Sequence, residues 1–60
     1  MTTLERLYAS HDWHYDRSDD YTVWARGEAQ WQAIGHEEQR LISDGHTPEE
    51  VKALRAEYEP

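Results

Sequence analysis

The stretch DYTVWARGEAQWQAIGHEEQRLISD, residues 20–44, decides the fold class. Within it Trp24, Gly27, Trp31, Ile34, Glu38 and Leu41 recur at intervals of 3, 4, 3, 4 and 3. That is the rhythm of a helix face laid against another helix. Val23 and Ile42 widen the stripe, and no segment of the chain alternates with period two. The spacing predicts one long helix over about 20–44, with Trp24, Gly27, Trp31 and Ile34 forming a seam for a neighbouring helix or for a second copy of the chain. Because heptad spacing marks packing, both indoles are expected in the core. Gly27 lies between them, where the missing side chain lets a ring or backbone approach closely. A glycine costs about 1 kcal/mol relative to alanine inside a helix, so Gly35 is expected to kink the helix or end it.

Downstream, Ser43-Asp44-Gly45-His46-Thr47-Pro48-Glu49-Glu50 reads as a stop followed by a start. Gly45 suits the left-handed position just beyond a helix C-terminus. Thr47 is a natural N-cap, Pro48 fits the first helical position, and Glu50 stands where a capping box needs it. A third helix follows over about 48–58, with Val51, Leu54 and Tyr58 on one face.

Upstream, Leu4, Leu7, Tyr8, His11 and Tyr15 follow i, i+3, i+4, i+7, i+11 spacing, which predicts a first helix over about 3–16. Thr3 is its expected cap, with Glu5 complementing the dipole in the first turn. Arg17-Ser18-Asp19-Asp20 breaks the pattern and offers Ser18 or Asp19 as the next cap. So short a connection makes the first two helices antiparallel neighbours. The fold expected is therefore all-α, a single domain over 1–60, built as an antiparallel helical hairpin plus a short third helix.

Composition narrows the function. A 60-residue chain hides only about 60% of the surface its unfolded form exposes, so a homodimer or a bound partner is expected to support it. The absence of cysteine excludes disulfides and thiolate metal sites. A formal net charge of −7 repels phosphate backbones and anionic lipids, which argues against direct nucleic-acid binding, and it attracts basic partners. No apolar run approaches a membrane span and the N-terminus carries no signal-peptide pattern, so a cytoplasmic location is expected. The acids are too sparse for convincing mimicry of a phosphate backbone.

Catalysis finds no support. There is no Gly-rich phosphate loop, no cysteine nucleophile and no serine in a triad context. Glu37-Glu38 and Glu49-Glu50 read as solvated helix charges. The expectation is a protein that is not an enzyme and uses no cofactor. His11 and His14, three residues apart, combine with nearby carboxylates into a candidate zinc site. Third and fourth ligands on that face are wanting, and half-buried seam histidines are the stronger reading.

The aromatic residues carry more information. Trp13 points about 180° from Leu4 on a helical projection. If the first helix continues through Asp16, that indole faces solvent, and Trp13 with Tyr15, flanked by Asp12 and Asp16, forms a patch for a protein partner. If the helix ends earlier, Trp13 folds back over the core beside the Ser18-Asp19-Asp20 turn.

The string Leu4-Glu5-x-Leu7-Tyr8-x-x-His11-Asp12-Trp13-x-Tyr15, then Ser18-Asp19-Asp20, then Val23-Trp24-x-x-Gly27, resembles small helical proteins of tailed phages and prophages. Those of the early region of lambda-like phages, between the recombination and excision genes, are among the proteins it resembles. The resemblance spans residues 4–34 and leaves Thr47–Pro60 unmatched. It implies an early protein of the infected bacterial cytoplasm, engaged in host takeover by binding a host or phage regulatory factor, and it carries over no catalytic residue. A self-assembling dimeric helical module is the second expectation, and a histidine metal-binding module the third.

The cap at Thr47 is directly testable. Thr47→Ala should lower stability in chemical denaturation by about 0.5–2 kcal/mol, the usual loss of an N-cap side chain.

Overall fold

The structure, a computed structural model, describes residues 2–60. Helix α1 spans Thr3–Ser10, a single 3₁₀ turn spans Tyr15–Arg17, α2 spans Tyr21–Ser43 and α3 spans Pro48–Ala56. There is no strand among the described residues, and the fold is all-α.

Helix α1 is capped one residue earlier than expected. Thr2 Oγ1 accepts the Glu5 N–H at 3.2 Å, and Glu5 Oε1 accepts the Thr2 N–H at 3.4 Å, closing a full capping box. The helix also ends far sooner than Asp16. At His11 the backbone turns extended, with φ −73° and ψ 138°. Asp12 then organises a turn, its Oδ1 accepting the His14 N–H at 3.1 Å while its carbonyl accepts the Tyr15 N–H at 3.3 Å. A short polar side chain that bonds the backbone locally offers a rival to the helical ladder, and here the rival wins.

Helix α2 is capped by Asp20, beyond both Ser18 and Asp19. Its Oδ1 accepts the Thr22 N–H at 2.9 Å, and Ser18 Oγ in turn accepts the Asp20 N–H at 3.1 Å. The helix runs through Gly27 and Gly35 without a break, so Gly35 does not end it. It stops where expected. Gly45 takes φ +109°, and the N–H groups of Gly45 and His46 return to the carbonyls of Ile42 and Leu41, each at 3.1 Å. This 5→2 and 6→1 pair is a Schellman closure. Thr47 Oγ1 accepts the Glu50 N–H at 3.1 Å, and Pro48 opens α3. The box expected there is one-sided, because the Glu50 carboxylate turns instead to His46 Nδ1 at 3.0 Å.

The partners of α1 and its loop run backwards along α2. Tyr8 bonds Glu38, His11 bonds Gln30, and Tyr15 bonds Glu28, which makes the pair antiparallel. Helix α3 returns along α2 as well, placing Arg55 beside Glu38 and over Trp31. The core is small: Leu4, Tyr8 and Ile34 are buried, with Leu7, Trp13, Leu41, Leu54 and Tyr58 packed around them. Trp24 and Trp31 are not in it, being 40% and 37% exposed. The reason is length. At a rise of about 1.5 Å per residue, α1 covers roughly 12 Å of a spine roughly 35 Å long, too little to shelter the whole seam. No helix among the described residues is long and apolar enough to cross a membrane.

At Gly27 a ring does approach, that of Tyr15, which lies where a β-carbon would have to go. At Gly35 no atom stands within 4 Å of such a carbon. The two glycines should therefore respond oppositely to alanine. Gly27→Ala must displace Tyr15 and should destabilise by on the order of 1 kcal/mol or more, overpacking outweighing the gain in helix propensity. Gly35→Ala should stabilise by up to about 1 kcal/mol. Urea unfolding of the two variants checks both signs.

Candidate functional site

Because α1 stops at Ser10, residues 11–16 fold back across the face of α2. His11 is buried at 7% exposure and forms the centre of an aromatic group. Its ring stands edge-on to Trp13 (centroids 4.9 Å, 78° between planes), tilted against Tyr15 (5.5 Å, 56°) and nearly parallel to Trp31 (6.0 Å, 24°). Trp13 and Trp31 meet at 6.3 Å and 74°. His11 Nδ1 lies 3.3 Å from Gln30 Oε1, which holds the imidazole in place.

Of the two placements the sequence leaves open for Trp13, the structure takes the second: the helix ends early and the indole folds back over the core. Its Nε1 donates to the Tyr8 carbonyl at 3.2 Å, and its ring packs against Tyr8 with centroids 6.0 Å apart. In a longer helix the Tyr8 carbonyl would accept the N–H of residue 12; here it accepts the indole N–H alongside the His11 N–H at 3.4 Å. The side chain is half-buried, so it contributes to folding as well as to surface.

Between the folded-back loop, α2 and the residues after α3 lies an open hollow of about 210 Å³, lined by His11, Trp13, Tyr15, Asp16, Trp31 and Glu59. Of the four residues read from sequence as a partner patch, Trp13, Tyr15 and Asp16 come together here. Asp12 does not line the hollow, its carboxylate being committed to the turn. Of the expected seam, Trp31 joins the hollow, Ile34 is core, Gly27 lies beneath Tyr15, and Trp24 stacks on the 77%-exposed Tyr21 with centroids 6.3 Å apart. Glu59 was not foreseen; only the return of α3 brings it to this end of α2. His11 carried a sequence signal, its place on the apolar stripe, but not its role as the hub of three rings.

A larger depression of about 450 Å³ runs along one face of α2, lined by Gln32, Gly35, His36, Glu38 and Gln39. It has no tryptophan or tyrosine wall, and its one carboxylate, Glu38, is already held by Tyr8 and Arg55. His14 is exposed while His11 is buried, and no group of three or more His, Cys, Asp or Glu among the described residues is placed to hold a metal ion.

Three tyrosine hydroxyls donate to glutamates: Tyr8 to Glu38 at 2.7 Å, Tyr15 to Glu28 at 2.6 Å and Tyr58 to Glu5 at 3.3 Å. Each carboxylate favours the neutral phenol. The bond to Glu28, with partial burial, pushes Tyr15 up to about 12. Burial first, then Glu38, pushes Tyr8 well above the ordinary tyrosine range, and burial with the Glu5 charge raises Tyr58.

Comparison with protein-family profiles, with curated proteins and with solved structures finds no match to this chain. Its chemistry rests on the geometry above.

A raised tyrosine contributes stability that is intact below the unfolded value of about 10 and fades as pH climbs through the folded value. Stability should therefore hold up to about pH 10 and fall towards pH 12, the value reached by Tyr15. Tyrosinate absorbance and far-ultraviolet circular dichroism, followed together, should show late ionisation accompanied by loss of helix. Ionisation complete while the helices remain intact would contradict the three bonds.

Proposed function

We propose that this chain is a small non-enzymatic binding protein that acts by docking a partner protein against the Trp13–Trp31 hollow. The observation that carries the proposal is the hollow itself: two indoles, an imidazole, a phenol ring and two carboxylates gathered by three separate parts of the chain. Trp and Tyr are the side chains that most often anchor interfaces, since each offers broad, stiff contact area with one polar edge. A net charge of −7 supports a partner with a basic surface, steered in by the long-range field. The contact differs in form from a protruding indole. The partner supplies the knob and this protein the socket. The resemblance over residues 4–34 supports a regulatory factor of an infected bacterium as that partner, and the bacterial cytoplasm as the place of action.

A second reading draws on Tyr21 and Trp24, which stack on each other and remain exposed on α2. A second copy laid along that stripe would bury them, giving the self-assembling module. Multi-angle light scattering separates the two: a dimer dissociated by Trp24→Ala supports self-assembly, and a monomer leaves the hollow as the binding surface.

The docking reading is tested with immobilised wild type, Trp31→Ala and Gln39→Ala as baits in bacterial lysate, each first checked for helix content. A basic protein held by wild type and by Gln39→Ala should lose affinity roughly thirtyfold with Trp31→Ala, the effect of an anchor contributing about 2 kcal/mol. If no captured protein depends on Trp31, the hollow is not the docking point.

A further inference from the structure

The hollow combines two features that together select one chemical group. Its walls are ring faces and edges, from His11, Trp13, Tyr15 and Trp31, and its two carboxylates, Asp16 and Glu59, are both exposed. No lysine or arginine lines it. Aromatic faces attract cations through the ring quadrupole, and carboxylates at the rim add charge-assisted hydrogen bonds.

The chain already displays a cation held in this manner. The Arg55 guanidinium carbon lies 5.7 Å from the centroid of the Trp31 ring, and Arg55 Nη1 lies 3.6 Å from Glu38 Oε2. An indole face and a carboxylate thus share one guanidinium inside the fold. In the hollow the same indole recurs with a second one at 74° to it, and with two exposed carboxylates. The volume of about 210 Å³ is below the roughly 300–1,000 Å³ of pockets that enclose a drug-sized ligand, and suits a single side chain.

We infer that the hollow is a receptor for one arginine side chain of the partner, its guanidinium laid against Trp13 and Trp31 and forked towards Asp16 and Glu59. Arginine is favoured over lysine because its planar, weakly hydrated head both stacks on rings and bridges carboxylates, whereas an ammonium is a compact and strongly hydrated point charge. The inference rests on the docking reading above and specifies what enters the socket.

The test titrates the chain, at fixed ionic strength, with N-acetyl-arginine amide, with the corresponding Nα-acetyl-lysine amide and with N-acetyl-citrulline amide, the uncharged isostere of the first. The indole N–H resonances of the three tryptophans report the result, Trp24 serving as internal reference because it does not line the hollow. The arginine probe should shift Trp13 and Trp31 saturably, leave Trp24 in place, and bind more tightly than the lysine probe; citrulline should leave all three unmoved. The double variant Asp16→Asn/Glu59→Gln alters only exposed side chains, so it keeps its fold, and it should weaken the arginine probe roughly tenfold. Citrulline shifting Trp13 and Trp31 as strongly as arginine, lysine binding equally well, no saturable shift with arginine, or an unaffected double variant would each overturn the inference. The two proposals fail separately. If the arginine probe does not bind while lysate capture still depends on Trp31, the socket stands and only its arginine occupant falls. If the probe binds but no partner depends on Trp31, the guanidinium site stands and the docking role falls.

Discussion

The hydrogen bond from the Tyr8 hydroxyl to Glu38 is the contact on which the rest of the molecule depends. Tyr8 is fully buried, and a buried phenol left without an acceptor would cost about 1–3 kcal/mol. Glu38 meets that need at 2.7 Å from the middle of α2, and the same carboxylate faces Arg55 of α3 at 3.6 Å. One polar link therefore joins all three helices. The ring of Tyr8 packs on Trp13 and on Tyr58, and its carbonyl receives the Trp13 indole. Without phenylalanine in the sequence, the core must be built around rings that carry a polar atom, and the arrangement of acids follows from that.

This changes the meaning of the negative charge. Thirteen acidic residues suggest a solvated coat, yet Glu5, Glu28 and Glu38 each accept a tyrosine hydroxyl, while Glu5, Asp20 and Asp12 serve caps or turns. Much of the acidity is spent on internal architecture. What remains without such a duty includes Asp16 and Glu59, the pair at the rim of the hollow.

How far the sequence could be read depends on which residues carried local information. The Gly45–Pro48 junction was legible because its chemistry is local: a left-handed glycine, a capping threonine and a proline at the first helical position leave few alternatives. The end of α1 was not. His11 and Tyr15 continue the apolar spacing of Leu4, Leu7 and Tyr8, and no glycine or proline marks a stop. Their inward positions are reached from a turn, not from a helix, because Asp12 captures the backbone and Trp13 replaces the lost donor. Periodicity reports which side chains face inward and is silent on the backbone that delivers them. The seam of α2 was legible as a face but not in its occupancy, since how much of it is covered depends on the length of α1. The site was half visible: Trp13, Tyr15 and Asp16 are neighbours in sequence, whereas Trp31 and Glu59 join them only through tertiary packing.

Trp13 has a consequence of its own. One indole closes the hydrogen-bond ladder of α1 and also forms a wall of the hollow. If a partner fills the hollow as proposed, its occupancy and the integrity of the first helix are thermodynamically linked, and such linkage is reciprocal. Whatever holds the indole in place strengthens the helix it terminates, and whatever loosens that helix blunts recognition. On the docking proposal, a domain with so small a core gains rigidity when its hollow is filled.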